Sequence, residues 1–197
     1  MIHYLSHLKE NESLKKIPDD ILRELLALSR VKTFSPKDNV LSNSELDDNF
    51  YYIVKGIVKG FFVQNKAQFC LRFFRPGEII VDFKSVLFMP DNGITYECVT
   101  HVTAVYISKE SFYRLMEDYG SIKHIYIENL AAEVILYEER IRSMLSLSAR
   151  ERYQKFTEKF GDYMSYLAQK DIASYLSITP ETLSRIKRST LRSVEMY

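Results

Sequence analysis

Thr179, Glu181, Thr182, Ser184, Arg185, Lys187 and Arg188 gather hydroxyl, carboxylate, guanidinium and ammonium groups into one short stretch near the end of a 197-residue chain. If that stretch is a helix, Leu183 and Ile186 face inward at i, i+3 spacing. Pro180, Glu181, Thr182, Ser184, Arg185 and Arg188 then lie outward. An outward arginine can donate two hydrogen bonds to guanine, and a glutamate can accept one from cytosine. Lys187, Arg188 and Arg192 are better placed for phosphate, which supplies affinity without sequence information. The chemistry is that of reading double-stranded DNA. A plain helical hairpin with a solvated charged face has the same pattern, and the pattern alone leaves both open.

Such a helix must be held by a second one. Gln169 to Leu176 supplies it, with Ile172, Ala173 and Leu176 as a small apolar face, and Ala173 is small where two helices must approach. Ser177-Ile178 forms the turn. Thr179 is a good N-cap and Pro180 suits the first helical position. The layout is a helix-turn-helix. Upstream, Ala149 to Phe160 carries Tyr153, Phe156 and Phe160 on one helical face and ends at Gly161-Asp162.

Before this module the periodicity changes twice. Asp19-Asp20 precede a helical face of Ile21, Leu22, Leu25, Leu26 and Leu28. Short runs rich in Val, Ile, Phe and Tyr follow at Val31–Phe34, Phe50–Val54, Ile57–Val63, Phe69–Phe74, Ile79–Phe83, Tyr96–Val99 and Val102–Ile107. Turn material such as Ser35-Pro36, Lys55-Gly56, Arg75-Pro76-Gly77 and Pro90 to Gly93 separates them, which predicts a β-sandwich or barrel. From Lys109 to Leu147 the chain is helical: Ser108 caps a short helix through Asp118, and Gly120-Ser121 restarts a long one. Tyr126, Leu130, Val134 (or Glu133), Tyr137, Ile141 and Met144 alternate near three and four residues apart, the seam of a two-stranded coiled coil. An amphipathic helix lying on its own β domain would fit as well.

Composition excludes several other classes. The hydrophobic fraction is 46% and the charged fraction 27%, as in ordinary globular proteins. No apolar run reaches the length of a membrane span, and the N-terminus lacks signal-peptide order, so no membrane partner is expected and the expected location is the cytoplasm. Cys70 and Cys98 are far apart and read as buried free thiols. His3, His7, His101 and His124 are scattered, so no metal site is expected. No catalytic triad, paired carboxylates or phosphate loop is visible, so the protein is not expected to be an enzyme. The net charge is +1, but it is uneven: residues 148–197 carry nine Lys/Arg against six Asp/Glu, and the remainder 18 against 20. That asymmetry suits a DNA-binding C-terminal module.

Ser148-Ala-Arg-Glu-Arg-Tyr153, Asp171-Ile-Ala-Ser-Tyr-Leu176 and Ile178-Thr-Pro-Glu-Thr-Leu-Ser-Arg185 resemble the Crp/Fnr (cyclic-AMP receptor/fumarate-nitrate regulator) family of bacterial transcription factors, most closely its Bacteroidetes branch. Phe50-Tyr-Tyr-Ile-Val-Lys-Gly56 and Pro76-Gly-Glu78 resemble turns of that family's cyclic-nucleotide-binding-like β-roll. The resemblance covers nearly the whole chain. It implies an α+β protein: an effector-sensing β-roll (jelly-roll) domain over 1–118, a dimerisation helix and hinge over 119–147, and a helix-turn-helix DNA-binding domain over 148–197. It favours the coiled-coil seam, hence a homodimer. It places Glu181 and Arg185 at bases and Thr179 and Thr182 at phosphates. An activator of this type would also contact RNA polymerase.

The departures from the family are specific. Its cyclic-AMP binders carry Gly-Glu-Leu and, a few residues later, Arg-Ser, where the glutamate holds the ribose and the arginine the phosphate. Here the triplet aligns with Val81-Asp82-Phe83 and the Arg-Ser position with Asn92-Gly93, and no arginine lies between Arg75 and Arg114. Losing the cationic partner of a buried phosphate should cost about 3–5 kcal/mol. The implied pocket, Gly77, Glu78, Asp82, Phe83, Asn92, Ile135 and Leu136, is therefore expected to take an unidentified small-molecule effector other than cyclic AMP. The cysteine cluster of oxygen-sensing members is absent, so no iron–sulfur cluster is expected; no haem through His101 or His124 and no other cofactor is expected either. Ser177 stands where the family often has glycine, a small cost if φ is positive. The β-hairpin wing is missing or reduced to Leu191–Tyr197, which implies weaker, more salt-sensitive DNA binding. These departures keep a second function open: a ligand-sensing or protein-interaction module that has lost specific DNA binding.

Overall fold

The run Phe50-Tyr51-Tyr52-Ile53 is apolar at every position, because both faces of its strand are covered. A computed structural model describes residues 4–41, 49–81 and 93–194. In it, β3 (Asn49–Lys55) pairs antiparallel with β8 (Val102–Ser108), with Phe50 opposite Ile107 and Tyr52 opposite Val105. Phe50, Tyr52, Val105 and Ile107 point into one buried cluster with Leu8, Leu22, Leu26, Leu115, Ile122 and Ile125. Tyr51, Ile53 and Ala104 point into another with Phe34, Val58, Phe74, Ile80, Tyr96 and Cys98. The period of two sends alternate residues to opposite faces, so two cores need a continuous apolar run.

The remaining strands are β1 (Arg30–Phe34), β2 (Asn39–Leu41), β4 (Val58–Gln64), β5 (Ala67–Phe74), β6 (Ile79–Ile80) and β7 (Ile94–Cys98). They form two four-stranded sheets, β1-β8-β3-β6 and β2-β7-β4-β5, the expected β-roll. β2 was not foreseen, and the strand expected over 79–83 is described as strand only at Ile79–Ile80, with Asp82 and Phe83 outside the described residues. Gly56 turns the chain between β3 and β4 at φ +96°; a Cβ there would lie 2.2 Å from the His101 carbonyl oxygen, so only glycine fits. Asn65 and Lys66 both have positive φ at the β4–β5 tip, the two-residue turn that matches strand twist.

The helices are α1 (Tyr4–Glu10), α2 (Asp19–Leu28), α3 (Lys109–Asp118), α4 (Gly120–Ser146), α5 (Ala149–Phe160), α6 (Gln169–Tyr175) and α7 (Pro180–Val194), with short 3₁₀ turns at Leu14–Lys16 and Gly161–Tyr163. Ser108 caps α3, accepting from the Ser111 N–H at 3.2 Å. Asp19 and Asp20 occupy the first turn of α2, where the helix dipole favours them. α1 and the first 3₁₀ turn had no sequence signal. The Tyr52 hydroxyl donates to the His7 carbonyl at 2.6 Å, and Asn11 Nδ2 to the Gly77 carbonyl at 2.7 Å. These bonds fix the N-terminal segment to the β-roll.

Contacts divide the chain into two units. One comprises 1–61 and 72–133; the other comprises 62–71 and 134–197. The first holds both β-roll clusters. The second holds the helix-turn-helix, the C-terminal half of α4 and, unforeseen, the tip of the β4–β5 hairpin. Both cysteines are buried free thiols. Burial, reinforced by Asp38 and Glu97, pushes the Cys98 thiol up to about 12.

Candidate nucleic-acid interface and effector region

The second unit is organised around a small helical core. Ser148 and Glu151 form a reciprocal capping box at the start of α5: the Ser148 N–H donates to Glu151 Oε2 at 2.8 Å, and the Glu151 N–H donates to Ser148 Oγ at 3.3 Å. Tyr153, Phe156 and Phe160 are buried, with Ile172, Ala173, Leu176, Leu183 and Ile186. Ala173, 1% exposed, leaves room for α7 to lie close to α6.

The turn between α6 and α7 is a Schellman motif. Ile178 N–H donates to the Ala173 carbonyl and Ser177 N–H to the Ser174 carbonyl, each at 3.0 Å. Ser177 occupies the left-handed position at φ +54°, so the substitution for glycine carries the strain foreseen for it. Thr179 then caps α7, its hydroxyl accepting from the Thr182 N–H at 3.2 Å.

That frame fixes the polar face. Thr179, Glu181, Ser184, Arg185 and Arg188 are exposed, while Thr182 and Lys187 are half-buried. Lys187 Nζ reaches Gln169 Oε1 at 3.1 Å. The Glu181 carboxyl is held below the usual carboxylate range by its own backbone N–H and by the Thr179 hydroxyl. It is an acceptor only at neutral pH, the form that can receive a base amino group. α7 continues to Val194, so residues 191–194 of the expected wing remnant are helix.

Two arginines hold the C-terminus of α6. Arg152 Nε donates to the Leu176 carbonyl at 3.1 Å, and its guanidinium also reaches the Leu147 carbonyl at 2.6 Å. Arg140 donates to the Tyr175 carbonyl at 3.1 Å, to the Cys70 carbonyl at 3.2 Å and to the Leu71 carbonyl. Ser174 Oγ accepts from the Cys70 N–H at 2.8 Å. The hairpin tip is thus bonded to the first helix of the helix-turn-helix through residues the motif did not mark.

Along α4, Ile127, Val134, Ile141 and Leu145 are exposed at 55, 66, 54 and 83%, with Tyr137 and Met144 at 43 and 39%. Leu130 is half-buried. Tyr126 departs from the expected seam: its ring packs on Phe50 and Phe112, centroids 6.1 and 5.7 Å apart. Ile127 takes the outward position in that turn. Val134 rather than Glu133 lies on the apolar row, since Glu133 is paired to Arg72.

Of the expected effector pocket, Asp82, Phe83 and Asn92 lie outside the described residues. Gly77 and Glu78 lie in the first unit. Gly77 has φ +88°, and its N–H donates to the Ile53 carbonyl at 2.8 Å. Glu78 lies 3.7 Å from both Arg72 and Arg75. Arg72, with a side chain only 12% exposed, also pairs with Glu133. A cation therefore sits beside Glu78, on β5 rather than between Arg75 and Arg114, where the family's phosphate-binding arginine aligns. Ile135 and Leu136 fall in the second unit: Ile135 is 55% exposed, and Leu136 lines a cavity with Arg140. His124 is exposed, 3.3 Å from Glu128. Among the described residues, no group of three or more His, Cys, Asp or Glu is placed to hold a metal ion, and no helix is long and apolar enough to cross a membrane.

Known proteins agree with this architecture. Residues 31–119 match the cyclic nucleotide-binding domain family. The HTH-type transcriptional regulator Cmr of Mycobacterium tuberculosis (strain CDC 1551 / Oshkosh) is 21% identical over 168 residues, spanning 85% of this chain and 68% of that protein. FixK2 from Bradyrhizobium japonicum superposes with a TM-score of 0.73 at 16% identity, covering 85% of this chain and 86% of its own. The c-di-GMP responsive global regulator CLP of Xanthomonas campestris gives 0.70 at 14% identity, covering 89% and 93%. Residues 31–119 thus match a cyclic nucleotide-binding domain, and the chain is similar in sequence to the regulator Cmr and in fold to FixK2 and CLP.

Proposed function

We propose that the protein is a homodimeric transcription regulator that reads a pseudo-palindromic DNA site through α7 and is controlled by an effector other than cyclic AMP. One observation carries the reading. α7 presents Glu181, Ser184, Arg185 and Arg188 to solvent above a buried Leu183 and Ile186, and a capped turn fixes its start. Glu181 and Arg185 are one turn apart and suit base edges; Thr179, Thr182, Lys187 and Arg188 suit the phosphates beside them. The apolar row on α4 supports a two-fold partner, which would place two recognition helices about 34 Å apart in successive major grooves. Cmr is described as an HTH-type transcriptional regulator, which supports the same reading.

The effector claim rests on charge. Arg72 is engaged by Glu133 and lies near Glu78, so a cyclic phosphate would have to displace a carboxylate from it. The direct test is a mobility-shift and footprinting assay on the promoter beside the protein's own gene. A retarded, protected palindrome is expected. No shift at low salt by a folded dimer would refute the DNA reading. Arg185→Ala should reduce discrimination at one base position by about 1–3 kcal/mol if it is bidentate to guanine, and an unchanged preference would remove it from the base contacts.

A further inference from the structure

Three columns of residues run along α4. Ile127, Val134 and Ile141, with Leu130, Tyr137 and Met144, fall at the a and d positions of a heptad. The column just before a, position g, is Tyr126, Glu133 and Arg140, and all three are turned onto their own chain. Tyr126 packs on Phe50 and Phe112. Glu133 pairs with Arg72. Arg140 donates to the carbonyls of Cys70 and Tyr175. The column just after d, position e, is Ala131, Glu138 and Leu145, and all three are exposed.

Glu133 is therefore the one carboxylate in the g column, and it is held from within. The Arg72 side chain is 12% exposed and that of Glu133 23%. The Arg72 guanidinium lies over the Phe74 ring, 4.3 Å from Cζ to the centroid, with Glu78 3.7 Å away. A half-buried carboxylate that loses such a cation turns toward water. From a g position, that places it beside the a and d row. In a parallel two-stranded coiled coil, g of one helix faces the following e of the other, and charges there set pairing. Here that e residue is Glu138 of the partner subunit, a like charge. Glu138 has its own exposed partner, Arg142 at 2.7 Å, and an exposed pair of this kind screens it only in part. Two-fold symmetry makes the repulsion occur twice.

We propose that Arg72 sets the strength of the dimer by keeping Glu133 away from Glu138 of the partner subunit. The proposal rests on the homodimer reading above and adds a control to it. With Glu133 on Arg72, the seam meets its partner without a clash of carboxylates. With Glu133 released, two pairs of like charges oppose the two helices, and a loosened dimer loses its second DNA half-site. A residue of the β-roll thus acts on the dimer through a single side chain of α4.

The test is sedimentation of the full chain over a dilution series at low ionic strength. Arg72→Gln should weaken the dimer by at least about threefold. Adding Glu138→Gln to Arg72→Gln should restore the wild-type constant, and about 1 M salt should shrink the difference between Arg72→Gln and wild type. A melting curve checks folding, and Arg72→Met, which keeps an apolar stem over Phe74, serves where Arg72→Gln does not fold. Glu138→Gln alone leaves Arg72 in place and should leave the constant within about twofold of wild type. A several-fold tighter dimer in that variant would show that Glu133 already opposes the partner, and would overturn the proposal. So would an Arg72→Gln dimer of wild-type strength, or one whose weakness Glu138→Gln does not relieve, since a merely structural arginine gives that last result. A monomeric wild type would refute the homodimer reading itself, whereas the other failures leave that reading standing.

Discussion

Arg140 lays its guanidinium over the ring of Tyr175, 4.3 Å from Cζ to the centroid, and donates to the carbonyl of the same residue at 3.1 Å. The planar fork that stacks and donates at once cannot be reproduced by an ammonium. Arg140→Lys should therefore keep the charge and lose the clamp. We expect about 1–2 kcal/mol of destabilisation, read by urea unfolding. Amide exchange should rise first at Cys70, whose N–H is held by Ser174. Uniform protection in the variant would show that the clamp is decoration.

Ser177 sits at φ +54° inside a complete Schellman motif. A side chain there crowds the backbone, and glycine does not. Ser177→Gly should raise stability by about 0.5–1 kcal/mol, seen as a shifted denaturation midpoint at constant slope. A loss of stability would mean that the Ser177 hydroxyl, 3.4 Å from Met144 Sδ, contributes more than the strain costs.

What could be read from the chain depended on whether the signal was local. Thr179-Pro180, Leu183 and Ile186 lie within about two turns of one helix, and the cap and the buried face follow from their spacing. Ser108 and Ser148 are legible in the same way. β3 was legible for a different reason, since a run apolar on both faces must be covered twice. Tyr126 was misread because a seam and a self-packing face have the same period. Only Phe50 and Phe112, distant in sequence, decide that the ring turns inward and Ile127 outward. Arg72 was missed because one partner, Glu78, is set beside it by the turn after β5 and the other, Glu133, comes from α4, 61 residues on. Arg140 was missed because backbone carbonyls, which carry no residue signal, are its acceptors.

Acid should weaken the start of α5. The Glu151 carboxyl is held below its usual range by the Ser148 hydroxyl and then by the Ser148 N–H. A group whose pKa is depressed on folding stabilises the fold above its unfolded value, and the contribution disappears as pH falls through the folded one. Glu151→Gln keeps an acceptor but cannot titrate. The stability gap between wild type and Glu151→Gln should be present near neutrality and close in the acid range below the ordinary glutamate value. A gap of constant size across that range would show that the capping carboxylate contributes no charge-dependent stability.

Ile127, Val134 and Ile141 recur every seven residues along a single 27-residue helix, and each is more than half exposed in the isolated chain. Tyr137 and Met144 fall three residues after Val134 and Ile141, which makes the row a two-position heptad seam. An apolar row of this length is not left to water without a partner. A second copy of α4 has the matching period, so the row should close on itself about a two-fold axis. Val134→Glu places a charge in the middle of that seam while touching nothing in either β-roll cluster. It should convert a dimer to a monomer in light scattering, and it should lower DNA affinity by removing the second half-site. Tyr126→Ala is the control, since its ring belongs to the Phe50 and Phe112 cluster: it should lower the melting temperature and leave the dimer intact. A wild type that is monomeric at micromolar concentration, or a Val134→Glu protein that remains dimeric, would assign the row to some other partner.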